Sequence, residues 1–203
     1  MLKELFEGYF YYTFPKVGDK LLMLDERMES GDFSLLDLNA CRSCRFVCNE
    51  DPEMREQLRV NGMGDVCIIS MDQVFRYVKE DVGETCDYMM EGYEDVMLVE
   101  MSCSMTDYVS DKRQKARRQL HNTLSHLYMN PLVKVHIEKK MRRSAIFSWK
   151  ETSYVSGATD MAESSMLGMM LMPDEVYSPD NESEFDFGFV LKEIRYPDVL
   201  VCA

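Results

Sequence analysis

Along the chain, apolar positions recur with two periods, and the change from one to the other marks the elements. Leu2, Leu5, Phe6, Tyr9 and Phe10 lie on one helical stripe that stops near Pro15 and Gly18. The run "DFSLLDLNACRSCRFVCNE" predicts a second helix, "DPEMREQLRVNGMGD" a short one ending at a glycine turn, and "VCIIS" a compact strand. "MDQVFRYVKEDVG" predicts a helix stopping at Gly83. In "SDKRQKARRQLHNTLSHLY", Ala116, Leu120, Leu124 and Leu127 recur at helical spacing and mark the clearest helix. "LVKVHIE" alternates as a strand does, "SAIFSW" predicts another strand, and "FGFVLKEIRY" a late one. Between these last two, Asp160 with Glu163 three residues on forms a capping box that opens a Met-rich helix over "MLGMMLM".

The stretch "CDYMMEGYEDVMLVEMSCS", residues 86–104, predicts a hairpin whose turn falls over Glu91 to Asp95, with Gly92 available for a positive φ. If that turn centres near Tyr93 and Glu94, Asp87 pairs close to Glu100 on one sheet face, with Cβ atoms about 5 Å apart. Two carboxylates at that separation repel unless a cation or a shared proton lies between them. A hard divalent ion, Mg²⁺ or Mn²⁺, resolves the repulsion with oxygen ligands. A register displaced by one residue turns one acid to the opposite face and removes the pair. On the helix that follows, Lys115, Gln119, Asn122 and His126 form a polar stripe beside the apolar one, so docking of the helix brings Lys115 and Gln119 to the edge of the acidic pair.

These residues resemble the PD-(D/E)XK nuclease superfamily. Its signature is an acid at the start of one strand, then an acid with a Lys two residues later on the next strand, then a helix often bearing Lys or Gln. Here Asp87 stands as the first acid, Glu100 as the second and "KARRQL" as the helix, a correspondence covering about residues 65–150. Ser102 stands where the usual Lys would be. Some members place that Lys on the following helix, a role open to Lys115. The resemblance implies an α/β restriction-endonuclease-like core on a mixed sheet flanked by helices. It also implies phosphodiester hydrolysis with Mg²⁺ or Mn²⁺ held by Asp87, Glu100 and the Met101 carbonyl, with Lys115 and Gln119 beside the reacting water. Residues 1–64 then form a helical N-terminal region and 151–203 the Met-rich helix plus the late strand, all within one domain.

Charge adds a partner. Residues 111–150 carry eleven bases against two acids on a chain of net charge −13. Such asymmetry suggests a local anionic partner, nucleic acid, with Lys112, Arg113, Arg117 and Arg118 contacting phosphates. The alternative is that these bases pair with the protein's own acids or with an acidic protein. A non-catalytic nucleic-acid-binding or assembly subunit of the same fold is the competing function, and the Met-rich segment is a candidate surface for a protein partner or a second copy.

Other patterns exclude more than they suggest. Seven scattered cysteines do not form a disulfide framework, and Cys41, Cys44 and Cys48 at helical spacing suit a buried face better than a metal site without a fourth ligand. The literal Glu138-x-Lys140 lacks an acid on a strand just upstream. No apolar run approaches the length of a membrane span, and the acidic start "MLKELFEGYFYYTF" does not suit a signal peptide, so a cytoplasmic protein without membrane contact is expected.

Overall fold

The computed structural model describes residues 4–6, 8, 26–37, 45–46, 56–75, 82–104, 109–151, 182–195 and 198–201. These form a mixed α/β architecture built on one curled nine-stranded sheet. Its strands are β1 (Arg27–Asp37), β2 (Arg45–Phe46), β3 (Glu56–Ser70), β4 (Tyr88–Glu91), β5 (Asp95–Ser104), β6 (Arg142–Glu151), β7 (Glu182–Glu184), β8 (Val190–Arg195) and β9 (Val199–Val201). Accompanying helices are α1 (Met71–Val74), α2 (Val109–Tyr128) and α3 (Pro131–Glu138). The order across the sheet is β2-β1-β3-β4-β5-β6-β8-β7, with β9 parallel to β3. Neighbours from β1 to β5 run antiparallel, whereas β5, β6 and β8 are parallel. The parallel β5–β6 step needs a long crossover, which α2 and α3 supply.

Three expectations change against this architecture. Within the two runs expected to be helical, residues 32–50 and 51–65, the described residues 32–37, 45–46 and 56–65 are strands, as are 27–31 before them in the N-terminal region expected to be helical. Glu56, Gln57 and Arg59 favour helix individually. However, Leu58 and Val60 alternate with them and face Leu35 and Phe33 of β1, and that non-local burial prevails. The third change is "LVKVHIE", which is helix α3 rather than a strand. The Asn130 side chain accepts from the amides of Leu132 and Val133 at 2.9 and 3.3 Å, and Pro131 sits at the first helical position. Of the helix expected to run from Met71 to Gly83, Met71–Val74 and Val82 are helical, and residues 76–81 lie outside the described residues. Also outside them are the Met-rich segment, Cys41, Cys44, Cys48 and most of the first helical stripe, of which Phe6 is fully buried.

Each sheet face has its own core. On one, Ile69, Met89, Leu98, Ala145 and Leu191 pack against Leu120, Leu124 and Leu127 of α2 and Val133 and Ile137 of α3. On the other, residues of β1 and β3 (Phe33, Leu35, Leu58, Val60) meet Met97, Val99, Ile146 and Ile194, because the sheet curls over itself. β1 and β3 accommodate this with register shifts around Gly31, whose φ is 76°, and Asp32 Oδ1 accepts from the Gly62 amide at 2.9 Å. Among the described residues, no helix is long and apolar enough to cross a membrane.

Candidate functional site

The hairpin forms as its turn residues dictate. Tyr88 pairs with Val99 and Glu91 with Val96, and the regular ladder ends there: the Asp87 amide, one residue before β4, donates to the Val99 carbonyl at 3.0 Å instead of continuing the register to Glu100. Glu100 alternates with Leu98 onto the face that α2 covers. Glu100 is buried there, at 7% exposure. Asp87 Oδ2 accepts the Met101 amide at 2.7 Å, so its carboxylate takes the place of a backbone carbonyl and extends the ladder past the end of β4.

Helix α2 delivers its polar stripe to the same place. Gln119 Nε2 donates to the Thr85 carbonyl at 3.0 Å, and Asn122 Nδ2 to the Glu84 carbonyl at 3.3 Å. Thr123 Oγ1 accepts the Cys86 amide at 2.9 Å while donating to the Gln119 carbonyl at 2.8 Å. Lys115 pairs with Glu84 at 3.4 Å. The stripe therefore binds the extended segment 84–86 along the helix and holds Asp87 in register. Gln119 is itself buried, and its Oε1 has no hydrogen-bond partner among the described residues. Burial pushes the Cys86 thiol up, and the negative charges of Glu100 and Asp87 add to that shift.

Two neighbours complete the surroundings, and neither was legible in the sequence. Glu100 pairs across β5–β6 with Phe147, and Phe147 across β6–β8 with Glu193, so a third acid lies on the same row. Arg113 Nε donates to both Glu193 oxygens at 2.7 and 2.8 Å. Two residues further along, the row Ser102, Trp149, Arg195 ends at the carboxyl ends of the parallel strands, with the Arg195 guanidinium 5.1 Å from the Trp149 ring centre. Only the parallel pairing of β8 with β6 brings Glu193 and Arg195 here, and nothing local in "VLKEIR" announces it.

Of the eleven bases in residues 111–150, at least five are held by the protein's own acids. Besides Arg113 and Lys115, Lys134 pairs with Glu138, Arg142 with Asp95, and Lys140 with Glu91. Glu138 and Lys140 thus take different partners at the end of α3. Arg117 Nη2 lies 3.5 Å from Ser183 Oγ, and Arg117 and Arg118 are exposed on α2.

Among the described residues, no three His, Cys, Asp or Glu side chains converge as a metal-holding group. The oxygen-only pair of Asp87 and Glu100 fits Mg²⁺ or Mn²⁺ rather than Zn²⁺, because Mg²⁺ is held by one or two carboxylates with waters and substrate phosphate oxygens filling the remaining positions. No protein-family description matches the chain, and no curated protein or solved structure matches it either.

Proposed function

We propose that the protein is a metal-dependent nuclease with a core of the restriction-endonuclease kind, built from β3, β4, β5, α2 and β6. What supports this reading is that Asp87, at the start of the hairpin, accepts from the Met101 amide next to buried Glu100. A hairpin with one acid per strand, followed by a helix bearing Lys115 and Gln119, is the order that the PD-(D/E)XK resemblance implies. Asp87 and Glu100 hold Mg²⁺ or Mn²⁺, with the Met101 carbonyl as a further oxygen. Such an ion, when bound, lowers the pKa of its water and offsets charge on the phosphate.

The remaining steps belong to side chains. Gln119 orients the water through its Oε1. Lys115 takes the place of the Lys missing at Ser102 and stabilises the developing phosphate charge. Leaving Glu84 costs Lys115 little, since exposed ion pairs contribute about 0–1 kcal/mol. Lys112, Arg117 and Arg118 position phosphates along the exposed side of α2, while Arg113 keeps Glu193 neutralised beside the site.

One observation favours a second reading: Lys115 and Gln119 already bind Glu84 and Thr85, which suits a non-catalytic subunit that holds nucleic acid on α2. Cleavage of single- and double-stranded DNA and RNA with Mn²⁺ or Mg²⁺ separates the two. Nuclease action requires cleavage that Glu100→Ala abolishes. Cleavage that survives Glu100→Ala refutes the site, and salt-sensitive binding without cleavage establishes the second reading.

A further inference from the structure

A different group of side chains lies on the opposite, solvent-facing side of α2. His121 Nδ1 is 2.7 Å from Asp186 Oδ2, and Ser125 Oγ is 3.3 Å from His121 Nε2. With Asp186 ionised, the Nδ1–H donates to it, so in the neutral ring Nε2 is the acceptor and the Ser125 hydroxyl donates. A nucleophile, a base and an acid orienting that base are thus connected in series, the relation by which such triads are recognised whatever their chain order. We infer that Ser125, His121 and Asp186 form a hydrolytic triad acting on small, unhindered carboxylic esters, independent of the acidic pair.

Two elements hold the geometry. His121 and Ser125 are four residues apart on α2 and so share a face. Asp186 arrives on the turn Asp186–Gly188, where Phe187 adopts a left-handed φ of 58° that a non-glycine residue keeps only when its surroundings impose it. Those surroundings are α2 itself. The Phe187 ring lies 4.5 Å from that of Tyr128 and 6.3 Å from that of His121, and the Tyr128 hydroxyl donates to the Phe187 carbonyl at 3.5 Å. The imidazole and the carboxylate are about half exposed, at 52% and 49%, which leaves the base open to a substrate. Phe187, itself 39% exposed, offers an apolar contact for an acyl or aryl group.

The reaction balances with water as the only co-reactant. Ser125 Oγ bonds to the acyl carbon as its proton passes to His121 Nε2, and the carbonyl electron pair moves onto oxygen. Arg143, whose guanidinium lies against Gly188 two residues from Asp186, is the cation assigned to that oxyanion. Collapse expels the alkoxide, which takes the proton from His121 and leaves as alcohol. Water, deprotonated by His121, then attacks the acyl-serine, and the proton returns to Oγ as the acid departs. Asp186 stays ionised throughout and is a positioning residue.

The test uses the full chain with a fluorophosphonate probe and p-nitrophenyl acetate. The probe is expected on Ser125 by peptide mapping, with labelling and ester turnover absent in Ser125→Ala. His121→Ala is expected to lower turnover about 100-fold, with added imidazole restoring part of it. Asp186→Asn lowers kcat at unchanged KM, and Asp186→Glu recovers it. Equal labelling of wild type and Ser125→Ala overturns the proposal. So does a fall in melting temperature of the Asp186 and His121 variants with labelling unchanged, because the contacts would then only fasten the turn to α2.

Discussion

At the residue scale, the same side chain often serves structure and site together, and substitutions can separate the two. Asp87 caps the Met101 amide, so Asp87→Ala leaves a donor without its acceptor and is expected to cost about 1–3 kcal/mol in urea denaturation. Asp87→Asn keeps an acceptor oxygen and should recover most of that stability. A rise in melting temperature on adding Mn²⁺, present in wild type and lost in Asp87→Asn, then reports the ion rather than the fold. His126 gives a pH signature. Burial pulls its pKa below 6.5, opposed by a backbone hydrogen bond with Val82, so the unfolded chain binds a proton that the folded one resists. Stability contributed by neutral His126 is complete above about pH 6.5 and falls as the pH drops through that value. The difference in unfolding free energy between wild type and His126→Phe should shrink from pH 8 to pH 5.5; a constant difference refutes the assignment. The hairpin itself could be read from the sequence because a short turn sets its register. Glu193 could not, because it reaches the site from a strand about ninety positions away in the chain.

At the element scale, α3 shows how a cap outweighs alternation. Leu132, Val133, Val135 and Ile137 satisfy a strand pattern as well as a helical one, but only Val133 and Ile137, four residues apart, are buried. Leu132 and Val135 remain exposed at 61% and 49%. The Asn130-Pro131 pair, a helix-start signal, was the local evidence for the right assignment. Asn130→Ala is expected to destabilise by about 0.5–2 kcal/mol, measured by thermal or denaturant unfolding. α3 also fastens the hairpin: the Glu91 side chain, 4% exposed, receives both His136 Nε2 at 2.7 Å and Lys140 Nζ, and Lys140 also donates to the Gly92 carbonyl at 2.8 Å. Removing one member of a buried ion pair strands the other, so Glu91→Ala should cost about 3–5 kcal/mol. Because Asp87 and Glu100 sit at the far end of that hairpin, this variant should keep their register in any population that stays folded.

At the scale of the whole molecule, the charge asymmetry is partly internal. The protein's own acids pair with at least five bases of residues 111–150, which leaves the exposed Arg117 and Arg118 of α2 as the cations offered to a polyanion. Because the salt slope grows by about 0.9 for each phosphate neutralised, binding through so few cations should show a shallow one. If the proposed nucleic-acid contact holds, Arg118→Ala should reduce the slope of log affinity against log salt for duplex DNA by about 0.9. An unchanged slope would remove Arg118 from the contact. Lys134→Ala, whose base is paired on α3, should leave the slope unaltered.

What the sequence determined by itself was whatever depends on near neighbours: the 3.6 period of α2, the turn that pairs Tyr88–Glu91 with Val96–Val99, and the polar stripe that begins at Lys115. These follow from backbone geometry within about twenty residues. Only the tertiary structure decided that Arg27–Asp37 and Glu56–Ser70 are paired strands, that Glu193 and Arg195 stand beside the acidic pair, and that Asp186 meets His121. Strand pairing across long separations is fixed by which faces can be buried together, and that is a property of the folded chain as a whole.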